Sequence, residues 1–114
     1  MTMTTNTKTQ SMGVVNIAVG RVVTNADAAA AATFDCGFVP RRIEFHNLTD
    51  RISQLWHEGM ADGESLQTVA AGTRTLEAAT GPTMGTDAAG TKNSFTMPAA
   101  AMVASKTFTW VAYG

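Results

Sequence analysis

The chain contains few charged residues. Asp, Glu, Lys and Arg make up 15% of its 114 residues, against roughly 25% in an average soluble domain. A surface so poor in charge indicates that part of it is covered by a partner. The formal net charge is -1 and the few Lys and Arg are scattered, so the sequence carries no electrostatic footprint for phosphate backbones. We therefore expect no nucleic-acid ligand.

Cysteine and long apolar runs are also scarce. The single cysteine, Cys36, excludes an internal disulfide, fits a reducing compartment during folding and is expected to be a small buried side chain. No apolar run approaches the roughly 18 residues that a membrane span needs. The first twelve residues lack the apolar core of a signal peptide. These features predict a protein made in the cytoplasm, without a membrane partner.

No group of residues has a spacing that indicates catalysis. The carboxylates are spread through turn sequences, and no pair has the spacing of an acid/base couple. The segment 85–92 has two glycines at phosphate-loop spacing, but a threonine precedes Lys92 and no Ser/Thr follows it directly. Ser65 lacks the second glycine of a nucleophile elbow. We expect neither an enzyme nor a cofactor site.

The two histidines, His46 and His57, fall on the two arms of a predicted hairpin. They face each other only in some registers, because a shift of one residue moves a side chain to the other face. A metal site needs three or four ligands, so Glu44, Glu58 or Asp62 would have to be recruited. We expect solvated strand histidines and no metal.

Short strand patterns make up most of the sequence. In the centre, Ile43 and Phe45 alternate with Arg42, Glu44 and His46, which is the period of a half-buried strand. A turn over 47–50 and a second run over 52–60 complete a hairpin. Further strand patterns occur over 13–23, as one strand or as two broken at Gly20, and over 32–36, 65–77, 94–97 and 106–113. Seven or eight short strands separated by turns predict an all-β, single-domain β-sandwich or small jelly roll.

The aromatic side chains are expected to form the core of this sandwich, because they occupy strand positions. The alternative is a stacking platform for bases or sugars. The residues concerned are Phe34, Phe38, Phe45, Trp56, Phe95, Phe108, Trp110 and Tyr113.

Two segments have little core-forming sequence. Residues 1–12 are almost entirely hydroxyl and amide side chains, so we predict a flexible N-terminal arm, followed by the β-sandwich body over 13–114. Fully extended, the arm spans on the order of 40 Å at about 3.3 Å per residue, enough to lie across a neighbouring subunit as an added strand. The alternative is a disordered terminus without a function. The segment 78–93 is predicted to be a long surface loop with no core residue beyond Met84.

Several stretches resemble a known group of proteins. They are Gly37-Phe-Val-Pro40 leading through Ile43 to Asn47-Leu-Thr-Asp-Arg51, then Trp56-x-Glu58-Gly-Met60, where x is any residue, and Thr68-Val-Ala-Ala-Gly-Thr-Arg-Thr75. Together they resemble small virion proteins encoded in the structural gene blocks of tailed bacteriophages, several of which look like capsid decoration, or cement, proteins. The resemblance covers about residues 34–76 and 111–113. The arm and the segment 78–93 lie outside it.

The resemblance implies a protein on the outer surface of the phage head, commonly a homotrimer, whose partner is the major capsid protein. In that role the arm is the expected latch and the segment 78–93 a second contact or an exposed tip. The expected partner-binding residues are Thr2, Thr4, Thr5, Asn6, Thr7, Lys8, Thr9, Gln10 and Met12. Two alternatives stay open: another virion component, such as a tail, connector or fibre-base subunit, and a small carbohydrate- or ligand-binding β domain.

Overall fold

The computed structural model describes residues 2–10, 16–85 and 93–114, with the backbone alone for residues 8–10. All regular secondary structure in these ranges is β-strand, and the predicted all-β single-domain fold is confirmed. The strands are β1 (Met3–Gln10), β2 (Ile17–Thr24), β3 (Ala32–Asp35), β4 (Arg42–Asn47), β5 (Ile52–His57), β6 (Ser65–Thr68), β7 (Arg74–Glu77), β8 (Thr83–Met84), β9 (Ser94–Met97) and β10 (Thr107–Tyr113).

The strands form two antiparallel sheets that pack as the layers of a sandwich. The larger sheet has the order β1-β2-β10-β4-β5-β6-β7, and the smaller one has the order β3-β9-β8. Phe34 and Phe95 of the smaller sheet contact Trp110 of the larger one, with ring centroids 5.8 and 5.3 Å apart. Phe34 also lies 5.9 Å from Phe45. The smaller sheet therefore covers one face of β10 and β4, and the core lies between them.

The central hairpin has the predicted strands and turn. Ile43 pairs with Trp56 and Phe45 with Gln54, so the inward side chains of both strands share one face. Asn47 closes the turn, because its Oδ1 accepts a hydrogen bond of 2.9 Å from the Asp50 N–H. The turn fixes the register that the sequence left open.

The aromatic residues form the core, as predicted. Seven of the eight aromatic side chains are buried, and Tyr113 alone is half-buried. The Cys36 side chain is fully buried. No aromatic ring in the chain is therefore exposed as a stacking platform.

β2 runs unbroken through Gly20, so the alternative of two strands is wrong. A Cβ atom at this position would lie 2.3 Å from Trp110 Nε1 and 2.7 Å from the Thr7 carbonyl oxygen. Trp110 is the cross-strand neighbour of Gly20, and its indole occupies the space that a side chain would fill. The glycine makes room for a core residue and does not interrupt the strand.

The segment 78–93 contains more structure than a surface loop. Thr83 and Met84 form β8, which pairs with β9. Pro82 is fully buried, so the expectation that Met84 is the only core residue here is wrong. Gly81 allows this burial, because a Cβ atom there would lie 2.1 Å from the Glu64 carbonyl oxygen. Residues 86–92 lie outside the described ranges.

The segment predicted as a flexible arm lies on the body over most of its length. Met3–Gln10 forms β1 and pairs antiparallel with β2, with an irregularity between Met3 and Thr5. Met3 packs against the core cluster. The extended preference of threonine matches the available edge of β2, which explains why this polar segment adds to the sheet. Residues 1, 11 and 12, including the predicted contact residue Met12, lie outside the described ranges.

Candidate interaction surface

The start of β1 is held by hydrogen bonds from Thr2. Its N–H donates to Asn25 Oδ1 (2.9 Å) and its hydroxyl donates to Asp27 Oδ2 (2.7 Å). The hydrogen bonds from Thr2 and then Asn25 hold the pKa of the Asp27 carboxyl below its ordinary value. The Thr4 hydroxyl donates to the Val23 carbonyl oxygen (3.1 Å). The first predicted contact residues therefore bind the chain's own β2 and the loop that follows it.

The backbone hydrogen bonds at the end of β2 define which side of β1 is free. Asn25 N–H donates to the Thr2 carbonyl oxygen, whereas Thr24 N–H donates to the Lys106 carbonyl oxygen, both at 2.9 Å. Backbone groups alternate in direction along an antiparallel ladder. Odd-numbered residues of β2 therefore bond to β1, and even-numbered residues bond to β10.

This alternation leaves half of the β1 backbone facing outward. The β1 residues that lie opposite the odd-numbered β2 residues take the bonds to β2; they are Thr5, Thr7 and Thr9. The N–H and C=O groups of the intervening residues point away from the sheet, and no other described strand lies beside them. These residues are Asn6, Lys8 and Gln10. An unpaired row of this kind is a template for an added strand.

The Asn6 side chain lies on the inner side of β1. It lines a groove of about 280 Å³ together with Thr33, Phe34, Asp35 and Trp110. This groove separates β1 from β3, because the smaller sheet is only three strands wide. β1 is therefore open along its edge and on part of its inner side.

The second open surface is the outer face of the larger sheet, which points away from the smaller sheet. One cross-strand row of this face is mostly apolar. The residues in register from β2 to β7 are Val19, Val111, Glu44, Leu55, Leu66 and Leu76. Val19 is 38% exposed and Leu76 is 61% exposed. The row places five apolar side chains across six strands on a face that no described element covers.

The adjacent row on the same face is polar. In the same strand order its residues are Arg21, Thr109, His46, Ser53, Thr68 and Arg74. The two arginines lie at opposite ends of the row, and both are exposed. Neither makes an ion pair or a hydrogen bond with the part of the chain that the structure describes. The face is therefore an apolar stripe bordered by unpaired positive charge.

Glu44 interrupts the apolar row, but its charge is matched within the chain. Arg42 Nη2 lies 3.5 Å from one carboxylate oxygen, and His46 Nε2 lies 3.7 Å from the other. The Arg42 guanidinium also lies 5.6 Å from the centroid of the Tyr113 ring. Glu44 is the one acidic residue in these rows, so the face keeps a positive balance from Arg21 and Arg74.

The two histidines lie on this outer face and do not meet. His46 pairs with Ser53 and His57 pairs with Arg42, so about 13 Å of strand separates them at ~3.3 Å per residue. His46 Nδ1 is 2.9 Å from Ser53 Oγ, and His57 Nδ1 is 3.0 Å from the Glu58 carbonyl oxygen. Within the described residues, no three His, Cys, Asp or Glu side chains group as metal ligands. Nor does any described helix have the length and apolarity to cross a membrane.

The outer face was missed by reasoning from the sequence. Val19 and Leu76 are apolar residues in strand patterns, which favours burial, and their outward positions and the cross-strand row are known only once the strand order is known. No family model, curated protein or solved structure matches this chain. The resemblance to phage virion proteins therefore stays a prediction.

Proposed function

We propose that this protein is a virion structural protein, a decoration or cement protein that binds the outside of a tailed-phage head as a homotrimer and stabilises the shell. The observation that carries the proposal is β1. It is an eight-residue strand at the edge of the larger sheet, and its outward N–H and C=O groups are open to a neighbouring chain. The sequence resemblance supplies the setting.

The proposed mechanism is strand addition. A strand of the major capsid protein pairs with the free edge of β1, and the main-chain hydrogen bonds hold the two proteins together. The sequence of β1 is rich in hydroxyl and amide residues, which keep the edge hydrated before binding. This hydration limits pairing with unrelated strands. A protein that binds only the assembled lattice stabilises that lattice by mass action.

The carbohydrate-binding alternative has less support. A sugar platform needs aromatic rings exposed together on one face, whereas seven of the eight aromatic residues are buried and the Tyr113 ring lies beneath Arg42. A tail, connector or fibre-base role uses the same sandwich and the same open edge. Placement on the virion separates that role from head decoration.

Immunogold electron microscopy on virions of the source phage tests the placement. Antibody label spread over the head is the expected result. Label confined to the tail or neck keeps the virion class and refutes the decoration role. Virions without any label refute both.

A proline in β1 tests the mode of binding. Lys8→Pro removes one outward N–H without breaking a hydrogen bond to β2, and proline is tolerated on the open side of an edge strand. Lys8→Ala is the matched control, because it removes the same charge and keeps the N–H. In sedimentation with heads assembled without this protein, we expect Lys8→Pro to lose binding and Lys8→Ala to retain it.

Deletion of residues 1–12 should likewise abolish head binding and leave a folded body. Met3, which packs against the core, is the one apolar residue in the sequence of β1, so we expect the body to keep its aromatic core without this strand. Binding retained by the deletion variant would refute a role for this segment.

A further inference from the structure

We propose that the outer face of the larger sheet is a docking surface for a protein surface with an apolar centre and carboxylates at its rim. The inference rests on the proposed function, which makes this partner the exposed surface of the capsid subunit. It goes beyond strand addition at β1, because it assigns a second contact with different chemistry.

The apolar row supplies the centre of such an interface. Protein interfaces have an apolar, well-packed centre and a polar rim, and arginine is more frequent in them than on the rest of the protein surface. Val19, Val111, Leu55, Leu66 and Leu76 run side by side across the sheet, interrupted by Glu44 alone. Leu76, at 61% exposed, is the most exposed of the large apolar residues of the structure. A buried partner surface removes this apolar area from water.

The unpaired arginines define the charge of the partner. Arg21 and Arg74 lie in the same row on β2 and β7, five strand spacings apart, or about 24 Å at ~4.8 Å per spacing. Because Glu44 is already matched by Arg42, the face presents net positive charge although the whole chain has a formal net charge of -1. Carboxylates on the partner near both ends of the apolar row complement this pattern.

The charge pattern disfavours a second copy of the chain as the occupant. Two copies docked through this face would bring two positively charged surfaces together, which opposes association. Nucleic acid would satisfy the arginines but would leave the apolar row against a charged backbone. An acidic-rimmed apolar protein surface matches both features.

The face is large enough for a specific interface. Seven strands span about 29 Å and six residues along a strand span about 20 Å, which gives roughly 600 Å² of planar area. A standard-size interface buries about 800 Å² on each partner. Together with the β1 edge, which adjoins this face, the contact reaches that size.

Two pairs of variants test the docking surface. Arg21→Glu removes a positive charge from the face and adds a negative one, and Arg51→Glu makes the same change in the turn of the central hairpin. Leu76→Gln removes an exposed apolar side chain from the row, and Leu48→Gln does so in the same turn, where Leu48 is 48% exposed. Each variant is sedimented with heads assembled without this protein, over a series of NaCl concentrations.

We expect the two face variants to weaken head binding by about tenfold or more and the two turn variants to bind within about twofold of the wild type. Wild-type binding should also weaken as NaCl rises, and Arg21→Glu should lose much of that dependence. If the wild type binds and all four variants bind equally well, the docking surface is refuted and the proposed function stands. If the wild type binds no heads, the proposed function fails together with this inference.

Sedimentation velocity of the same variants without heads separates docking from self-assembly. The oligomeric state should be unchanged by Arg21→Glu and Leu76→Gln. A change of oligomeric state in these variants, with Arg51→Glu and Leu48→Gln unaffected, would assign the face to contacts between copies of this chain and overturn the proposal.

Discussion

Replacement of Gly20 by alanine would place a methyl group where the Trp110 indole lies. The added carbon would be 2.3 Å from Nε1 and 2.4 Å from Cε2 of Trp110, and 2.7 Å from the Thr7 carbonyl oxygen. Trp110 is 1% exposed and packs against Phe34 and Phe95, so its ring has little room to move. The methyl group must displace a core aromatic ring or lift β1 from β2.

The expected cost follows from two opposing effects. Overpacking a well-packed core costs about 1–3 kcal/mol. Alanine also restricts the unfolded chain more than glycine does, which stabilises the folded state by about 0.4–1 kcal/mol where the backbone is compatible. We therefore expect Gly20→Ala to lower the free energy of unfolding by about 1–2 kcal/mol.

A double-mutant cycle with Trp110→Leu isolates the steric term. Leucine lacks the Nε1 and Cε2 atoms of the indole, so in the Trp110→Leu background the methyl group of Gly20→Ala keeps only its contact with the Thr7 carbonyl oxygen. Urea unfolding of the wild type, both single variants and the double variant gives the coupling free energy. We expect coupling of about 1 kcal/mol or more, within the usual range for residues in contact.

Gly72→Ala is the control for the cycle. Gly72 has a φ of +89°, and no atom lies within 4 Å of an added Cβ. Its substitution costs stability through the backbone conformation alone and should be additive with Trp110→Leu. If Gly20→Ala were also additive with Trp110→Leu within about 0.5 kcal/mol, the steric explanation for Gly20 would be wrong.

Two further predictions concern groups that hold the last strand in place. The hydrogen bond from Lys106 Nζ (2.9 Å) holds the pKa of the Asp50 carboxyl below its ordinary value. The ionised carboxylate therefore stabilises the fold at pH values above the ordinary pKa. That stabilisation is lost as the pH falls through the lowered pKa of the folded state. The free energy of unfolding of the wild type should fall with pH in this acidic range, and the Asp50→Asn variant should show a weaker fall. An unchanged dependence on pH in Asp50→Asn would contradict the role of this carboxylate. The buried Thr24 hydroxyl donates to the Val103 carbonyl oxygen (2.9 Å) and accepts from the Lys106 N–H (3.0 Å), so Thr24→Val should lower the free energy of unfolding by about 1–3 kcal/mol. Thr109→Val, on the open outer face, should change it by less than about 0.5 kcal/mol in the same urea titration.

The local features of the fold could be predicted from the sequence. Ile43 and Phe45 alternate with polar neighbours, and the alternation gave both the strand and its buried face. The order of the strands could not be predicted, because β10 pairs with β2 and β4 through contacts that are distant in sequence. Gly20 shows the same limit, since only the position of Trp110 distinguishes a close approach from a chain break.

The candidate surfaces were predictable only in part. The polar composition of residues 1–12 predicts a segment that does not form a core of its own. Composition could not show that β2 offers it an edge within the same chain. The outer row could not be predicted, because four strands lie between Val19 and Leu76. The two residues are known to share one face only when the order of those strands is known.

The position of β10 has a consequence for how the chain folds. It follows the other described strands in the sequence and lies between β2 and β4. In the larger sheet, β10 alone therefore joins the β1–β2 pair to the β4–β7 meander. The strands of the β4–β7 meander are neighbours in sequence, whereas the two halves of the larger sheet stay separate until β10 has been synthesised. Closure then depends on contacts between residues far apart in the chain, which slows folding. Until that step, the edges of β2 and β4 are both open to other chains, and this is when aggregation competes most strongly with folding.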